Sequence, residues 1–141
     1  MKITPDIERW FAQRGAPLER VMRRIHEIIV GADPRMTAYL KYGTLTFAHG
    51  GDLAAFVQLK KTPVTLMFNR GARIPGSFPH LEGEGPTARF MRFADLAEAE
   101  ALAFELRDLA IAWCGLQGGG DAKSARTKPR AARSFRPPTP K

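Results

Sequence analysis

The sequence predicts an α+β domain, a two-layer sandwich with helices packed on one face of an antiparallel sheet of about five strands. Three observations carry that prediction. Apolar residues repeat at three- and four-residue spacing in the first 30 residues and again after residue 95, whereas between residues 37 and 93 the period is two. The two-period segments follow one another across short Gly- or Pro-marked turns, which implies a meander of hairpins. The helical segments are segregated to the two ends of the chain, giving the order α-α-β-β-β-β-β-α.

Thr4-Pro5-Asp6 supplies an N-cap, a proline at the first helical position and an early acid, so a helix runs to about Arg14 and stops at Gly15. Pro17 opens a second helix with Leu18, Val21, Met22, Ile25, Ile28 and Ile29 on one face. Arg20, Arg23, Arg24 and Glu27 take the other face, and Gly31 with Asp33-Pro34 ends the helix. His26, between Ile25 and Glu27, reads as a surface or flank histidine. Strands follow at 37–42 and 45–49, with Gly50-Gly51 as a two-residue hairpin signal. A second pair, 53–61 and 64–69, turns at Thr62-Pro63. The 18 residues from Gly71 to Ala88 hold four glycines and three prolines, and loops of that length are often functional. One more strand spans 89–93. Asp95 then caps a single long helix to about Leu116, with Glu98 completing a capping box. Leu96, Ala99, Leu102, Ala103, Leu106, Leu109, Ala110 and Trp113 form its buried stripe, and Cys114 reads as a core or near-core residue.

Alternation along the strands sends Leu40, Tyr42, Val57, Leu59, Leu66 and Phe68 toward the helices. Tyr39, Lys41, Phe56, Gln58, Lys60, Thr65, Met67 and Asn69 then share the other face. That face mixes aromatic, basic and amide groups, a composition suited to binding. Trp10, Phe11, Phe90 and Phe93 sit beside apolar neighbours and read as core.

Composition bounds the class of protein. The chain has 141 residues, 44% hydrophobic and 26% charged, which excludes wholesale disorder. One cysteine excludes an intrachain disulfide framework and a Cys-based zinc cage. Apolar runs are short, and the first residues lack the apolar core of a secretory signal, so a cytoplasmic, non-membrane protein is expected. The net charge of +8 is unevenly placed: residues 1–117 hold 15 Lys/Arg and 13 Asp/Glu, and residues 118–141 hold seven and one. We therefore expect a globular domain over 1–117 and a disordered basic tail over 118–141.

The run Ala32-Asp33-Pro34-Arg35, then Lys41-Tyr42-Gly43, Thr46-Phe47 and Lys60-Lys61, resembles the YdhG-like family, a family of unknown function. Leu66-Met67-Phe68-Asn69-Arg70-Gly71, Leu81-Glu82-Gly83-Glu84-Gly85 and Arg89 continue the resemblance, which covers roughly residues 5–116. It implies a frataxin-like sandwich and, from some relatives, an iron-chaperone role. This chain departs from the acidic ridge such a role uses, since its second helix carries Arg20, Arg23 and Arg24 against Glu19 and Glu27.

Candidate chemistry falls into three sets. Lys41, Lys60, Tyr39, Glu82 and Arg89 are the polar residues best placed to ring a small anionic ligand, under the long loop and against the outer sheet face. Lys41 and Arg89 should both reach the loop carboxylates; the alternative is an Arg89–Glu82 bridge that only anchors the loop. His80, Glu82 and Glu84 alternate in an extended segment and present oxygen-rich ligand types that suit iron or magnesium, or else pair with Arg73 or Arg89 as a solvated loop. Lys123, Arg126, Lys128, Arg130, Arg133 and Arg136 recur along the tail at a spacing that would track nucleic-acid phosphates or another anionic surface. No nucleophile elbow, P-loop or zinc-protease motif is present, so no cofactor is required and a non-catalytic binding domain is the expected class.

Overall fold

The computed structural model describes residues 3–118. Helices α1 (Pro5–Ala12) and α2 (Leu18–Ala32) lead into strands β1 (Thr37–Lys41), β2 (Thr44–Ala48), β3 (Asp52–Val57) and β4 (Val64–Phe68). A 3-10 turn at Gly71–Arg73 begins the long loop, β5 (Arg89–Phe93) ends it, and α3 (Leu96–Ala101) and α4 (Ala103–Gly118) close the domain. The five strands lie in the order β1-β2-β3-β4-β5, every pair antiparallel, which is the expected meander. The helices form the second layer: α1 packs on β2, α2 on β4 and α3 on β5, while α2 and α4 pack on each other. Among the described residues no helix is long and apolar enough to cross a membrane.

Thr4 stands at the N-cap of α1 and Pro5 opens the helix, but the Thr4 hydroxyl donates to Asp6 and does not cap the backbone; a side-chain cap is formed at α3. Asp95 accepts a hydrogen bond from the Glu98 backbone N–H at 3.0 Å, and the Glu98 carboxylate accepts from Ala94 N–H at 2.7 Å. That reciprocal cap starts α3 as the sequence predicts. The single long helix expected from Asp95 to Leu116 is instead two, because Leu102 (φ −96°, ψ 7°) leaves the helical region between them. Ala99 before the break and Leu106 after it both face the core, where they are fully or almost fully buried.

The core side of the sheet carries Leu45, Phe47, Phe56, Val64, Leu66, Phe68, Met91 and Phe93, all buried. Two side-chain directions expected from alternation are reversed. Phe56 points inward, stacked on Trp10 at 5.8 Å and edge-on to Phe47 at 5.8 Å, so Val57 faces outward and β3 ends there, before Leu59. A register shift beside Phe47 and Ala48 inserts one extra residue in β3 and changes the phase of everything before it. Tyr42 does not face the helices either: with Gly43 it makes the two-residue β1–β2 turn, both at positive φ (54° and 77°), and it is 96% exposed.

His26 is buried, not on the surface. It lies edge-on to Phe11 at 5.6 Å and near Phe47 at 6.1 Å, on the same helical stripe as Met22 and Ile29. Its Nδ1 has no hydrogen-bond partner. Burial holds its pKa below the ordinary 6.5, with Glu27 opposing and Arg23 reinforcing the shift. Two of the three arginines of α2 are engaged in ion pairs, Arg23 with Glu8 and Glu19 and Arg24 with Glu27 and Glu100.

Candidate functional site

The long loop does not roof the outer sheet face. Ile74 is buried, Phe78 and Leu81 pack against the core, and His80 binds Glu105 of α4 through its backbone N–H (2.8 Å) and Nδ1 (2.7 Å). The loop then pairs with the free edge of β5, where Glu82 and Phe90 exchange backbone hydrogen bonds of 2.7 and 2.9 Å. Three apolar side chains draw the loop toward the helix layer and leave the other face open.

On that open face, β1 projects Tyr39 and Lys41 outward, and Asp52 enters β3 directly after the Gly50-Gly51 turn. Tyr39 donates its hydroxyl to Asp52 Oδ1 at 2.6 Å, and Lys41 Nζ donates to Oδ2 at 2.7 Å. Partial burial works against the Asp52 charge, but these two donors outweigh it and hold the carboxyl below its ordinary pKa. The same contacts raise the Lys41 ammonium and the Tyr39 phenol above theirs. All three groups are therefore fixed in one ionisation state around neutral pH, and each orients the others.

Two shallow cavities flank this knot. One, about 370 Å³, is lined by Lys41, Gly51, Asp52, Asn69 and Arg70. The other, about 170 Å³, shares Lys41, Asp52 and Asn69 and adds Tyr42, Thr44, Thr46, Ala55, Val57 and Met67. Arg70 is exposed at the end of β4 and makes no ion pair among the described residues. An unpaired guanidinium beside an amide and an ammonium is a ready anion receptor.

The other sequence candidates lie elsewhere. Lys60 is exposed in the turn after β3, off the sheet. Arg89 and Lys41 are on opposite faces and opposite edges: β5 alternation puts Arg89 with Met91 and Phe93 on the core side, and four strand spacings, about 19 Å, separate β1 from β5. The expected meeting of both cations with the loop carboxylates is thus overturned. Arg89 instead donates to the carbonyls of Gly85 and Ala88, each at 2.8 Å, while Glu82 pairs with Arg92. The expected loop anchor exists, with Arg92 in place of Arg89 as the carboxylate's partner.

His80, Glu82 and Glu84 do not converge. His80 is engaged by Glu105 and Glu82 by Arg92, and among the described residues no three His, Cys, Asp or Glu side chains are grouped to hold a metal ion. Cys114 is fully buried, and burial pushes its thiol up to about 11, which removes it as a nucleophile at neutral pH. The basic set Lys123, Arg126, Lys128, Arg130, Arg133 and Arg136 lies outside the described residues.

Sequence reasoning missed Asp52 and Arg70 as site residues. A cross-strand signal was present for Asp52, since the Gly50-Gly51 turn folds it back beside β1 and β2. Arg70 stands next to Asn69, already assigned to the outer face. Comparison of the chain with protein-family models, curated proteins and solved structures finds no match.

Proposed function

We propose that this domain is a non-catalytic binding protein for a small anionic ligand, held on the outer sheet face by Arg70, Lys41 and Asn69. The observation that carries the reading is the unpaired Arg70 guanidinium opening on a cavity it shares with Lys41. Tyr39 and Asp52 keep Lys41 extended over the sheet, so the site is arranged before a ligand arrives. The site lacks an activated nucleophile: Asp52 is neutralised by its donors, and the thiol lies in the core. The iron role implied by the YdhG-like resemblance has less support, because His80 and Glu82 are spent on other partners and the described residues hold no cluster of three ligating side chains.

Thermal denaturation with inorganic phosphate, sulfate and acetate tests the reading. Each anion should raise the melting temperature of the native chain, and Arg70→Ala should remove most of that rise while leaving unliganded stability within about 0.5 kcal/mol. A rise that survives Arg70→Ala would place the site elsewhere. A second reading, an accessory protein for nucleic acid or another anionic surface, rests on the seven Lys/Arg against one Asp in residues 118–141. It requires binding that weakens steeply with salt and is lost on removing those residues.

A further inference from the structure

Building on the anion reading, we propose that the outer-face ligand is an amphipathic monocarboxylate. Its carboxylate meets Arg70 and Asn69, and its apolar body lies along Ala55, Val57 and Met67 toward Tyr42.

The two cavities share Lys41, Asp52 and Asn69 and so form one trough running along the strands. From the level of Thr44 to that of Asp52, which pairs with Ala48, is four residues of strand, about 13 Å. An inorganic ion fills only one end of such a trough. The charged end sets the head group. Asp52 cancels Lys41, so Arg70 leaves a single net positive charge, which matches one carboxylate better than a dianion.

The other end sets the body. Its floor is Ala55, Val57 and Met67, the last an adaptable apolar surface. Its hydroxyls offer little to a polar ligand: Thr44 donates to the Phe56 carbonyl at 2.7 Å, and Thr46 is buried. Tyr42 stands at the mouth of this end, its ring exposed to water and the Lys41 ammonium 5.5 Å from its centroid. It holds a left-handed turn position that strains a bulky residue, where Asn or Gly would be relaxed. An apolar body in the trough would give that ring a surface to cover.

The test is a titration of the isotope-labelled full chain, followed by chemical shifts, with acetate, butyrate, hexanoate, octanoate, octylamine and inorganic phosphate. Affinity for the acids should rise about twofold per added methylene, half the value for full burial, because the trough is open on one side. Shifts should spread from Arg70 and Asn69 to Val57 and Met67 as the chain lengthens. Arg70→Ala should weaken every acid about tenfold, and Tyr42→Ala should weaken octanoate but not acetate. Equal affinity for acetate and octanoate, or tighter binding of phosphate than of octanoate, would overturn the amphipathic assignment and leave the anion reading intact. Octylamine binding as tightly as octanoate would remove the anion reading as well. Silence with every probe would defeat both.

Discussion

The two faces of the sheet come from the same five strands, yet they are held in opposite ways. On the helix side, Trp10, Phe11, His26, Phe47 and Phe56 interlock through edge-on and stacked ring contacts, and a polar atom there, His26 Nδ1, has no partner. On the outer side, Tyr39, Lys41 and Asp52 satisfy one another in partial contact with water, and a charge, Arg70, is left over. Packing decides the first face and hydrogen bonding the second. An orphaned group inside is a cost that the surrounding apolar burial offsets, whereas an unpaired group outside is cheap and free to bind. Stability should therefore be sensitive on one face and binding on the other.

The adjacent pair Phe56 and Val57 offers the hardest test. Phe56→Ala should cost about 3–5 kcal/mol, as expected for removing a fully buried ring. Val57→Ala, on the outer face, should cost less than about 1 kcal/mol. Denaturant unfolding of both variants checks this, and a larger cost for Val57 would reverse the assignment of the faces.

Next in size is Gly71→Ala. A Cβ there would meet Arg89 Cβ at 2.6 Å and Phe68 Cβ at 3.1 Å, both close to the backbone and unable to swing aside. A loss of about 1–3 kcal/mol is expected.

His26 gives the pH dependence. Its folded pKa is depressed, so the unfolded chain takes up a proton that the folded chain resists. The associated stability is present above the ordinary pKa of 6.5 and is lost as pH falls toward the folded value, by at most about 1.4 kcal/mol per pH unit. His26→Leu should raise stability at pH 7 by about 1 kcal/mol, by removing the unpartnered nitrogen, and should flatten the profile between pH 5 and 6.5. Urea titrations across that range provide the measurement.

A small stability effect belongs to Asp52→Asn, about 0.5–1 kcal/mol for a partly exposed ion pair. Its effect on binding should be larger and opposite in sign. Freeing Lys41 adds a positive charge to the cavity, so affinity for inorganic phosphate should rise severalfold. Unchanged affinity would mean that Lys41 takes no part in the site.

Much of the fold was legible in residue order. The element sequence, the capping box at Asp95 and Glu98, and the alternation of β4 all depend on residues within a few positions of one another. Val64, Leu66 and Phe68 alternate cleanly with Thr65, Met67 and Asn69, so that strand has one reading. In β3 the run Leu53-Ala54-Ala55-Phe56-Val57 is apolar in both phases, and only the register against Phe47 and Ala48 selects one. Less of the site was legible. Tyr39 and Lys41 were found by alternation, but Asp52 joins them across a hairpin, and Arg70 acquires meaning only because Asp52, the acid that shares its cavity, is taken up by Tyr39 and Lys41.

By itself, then, the sequence determined the succession of helices and strands as far as the break between α3 and α4, the capping box that starts α3 and the polar character of the outer face, since these follow from local spacing and side-chain type. The tertiary structure decided which of Phe56 and Val57 is inside, that Ile74, Phe78 and Leu81 carry the long loop to the helix layer, and that Lys41 meets Asp52 and not Glu82. Those outcomes depend on strand register, a bulge and the competition of distant apolar groups for one core. Such interactions couple positions far apart in the chain and leave no period in the local sequence.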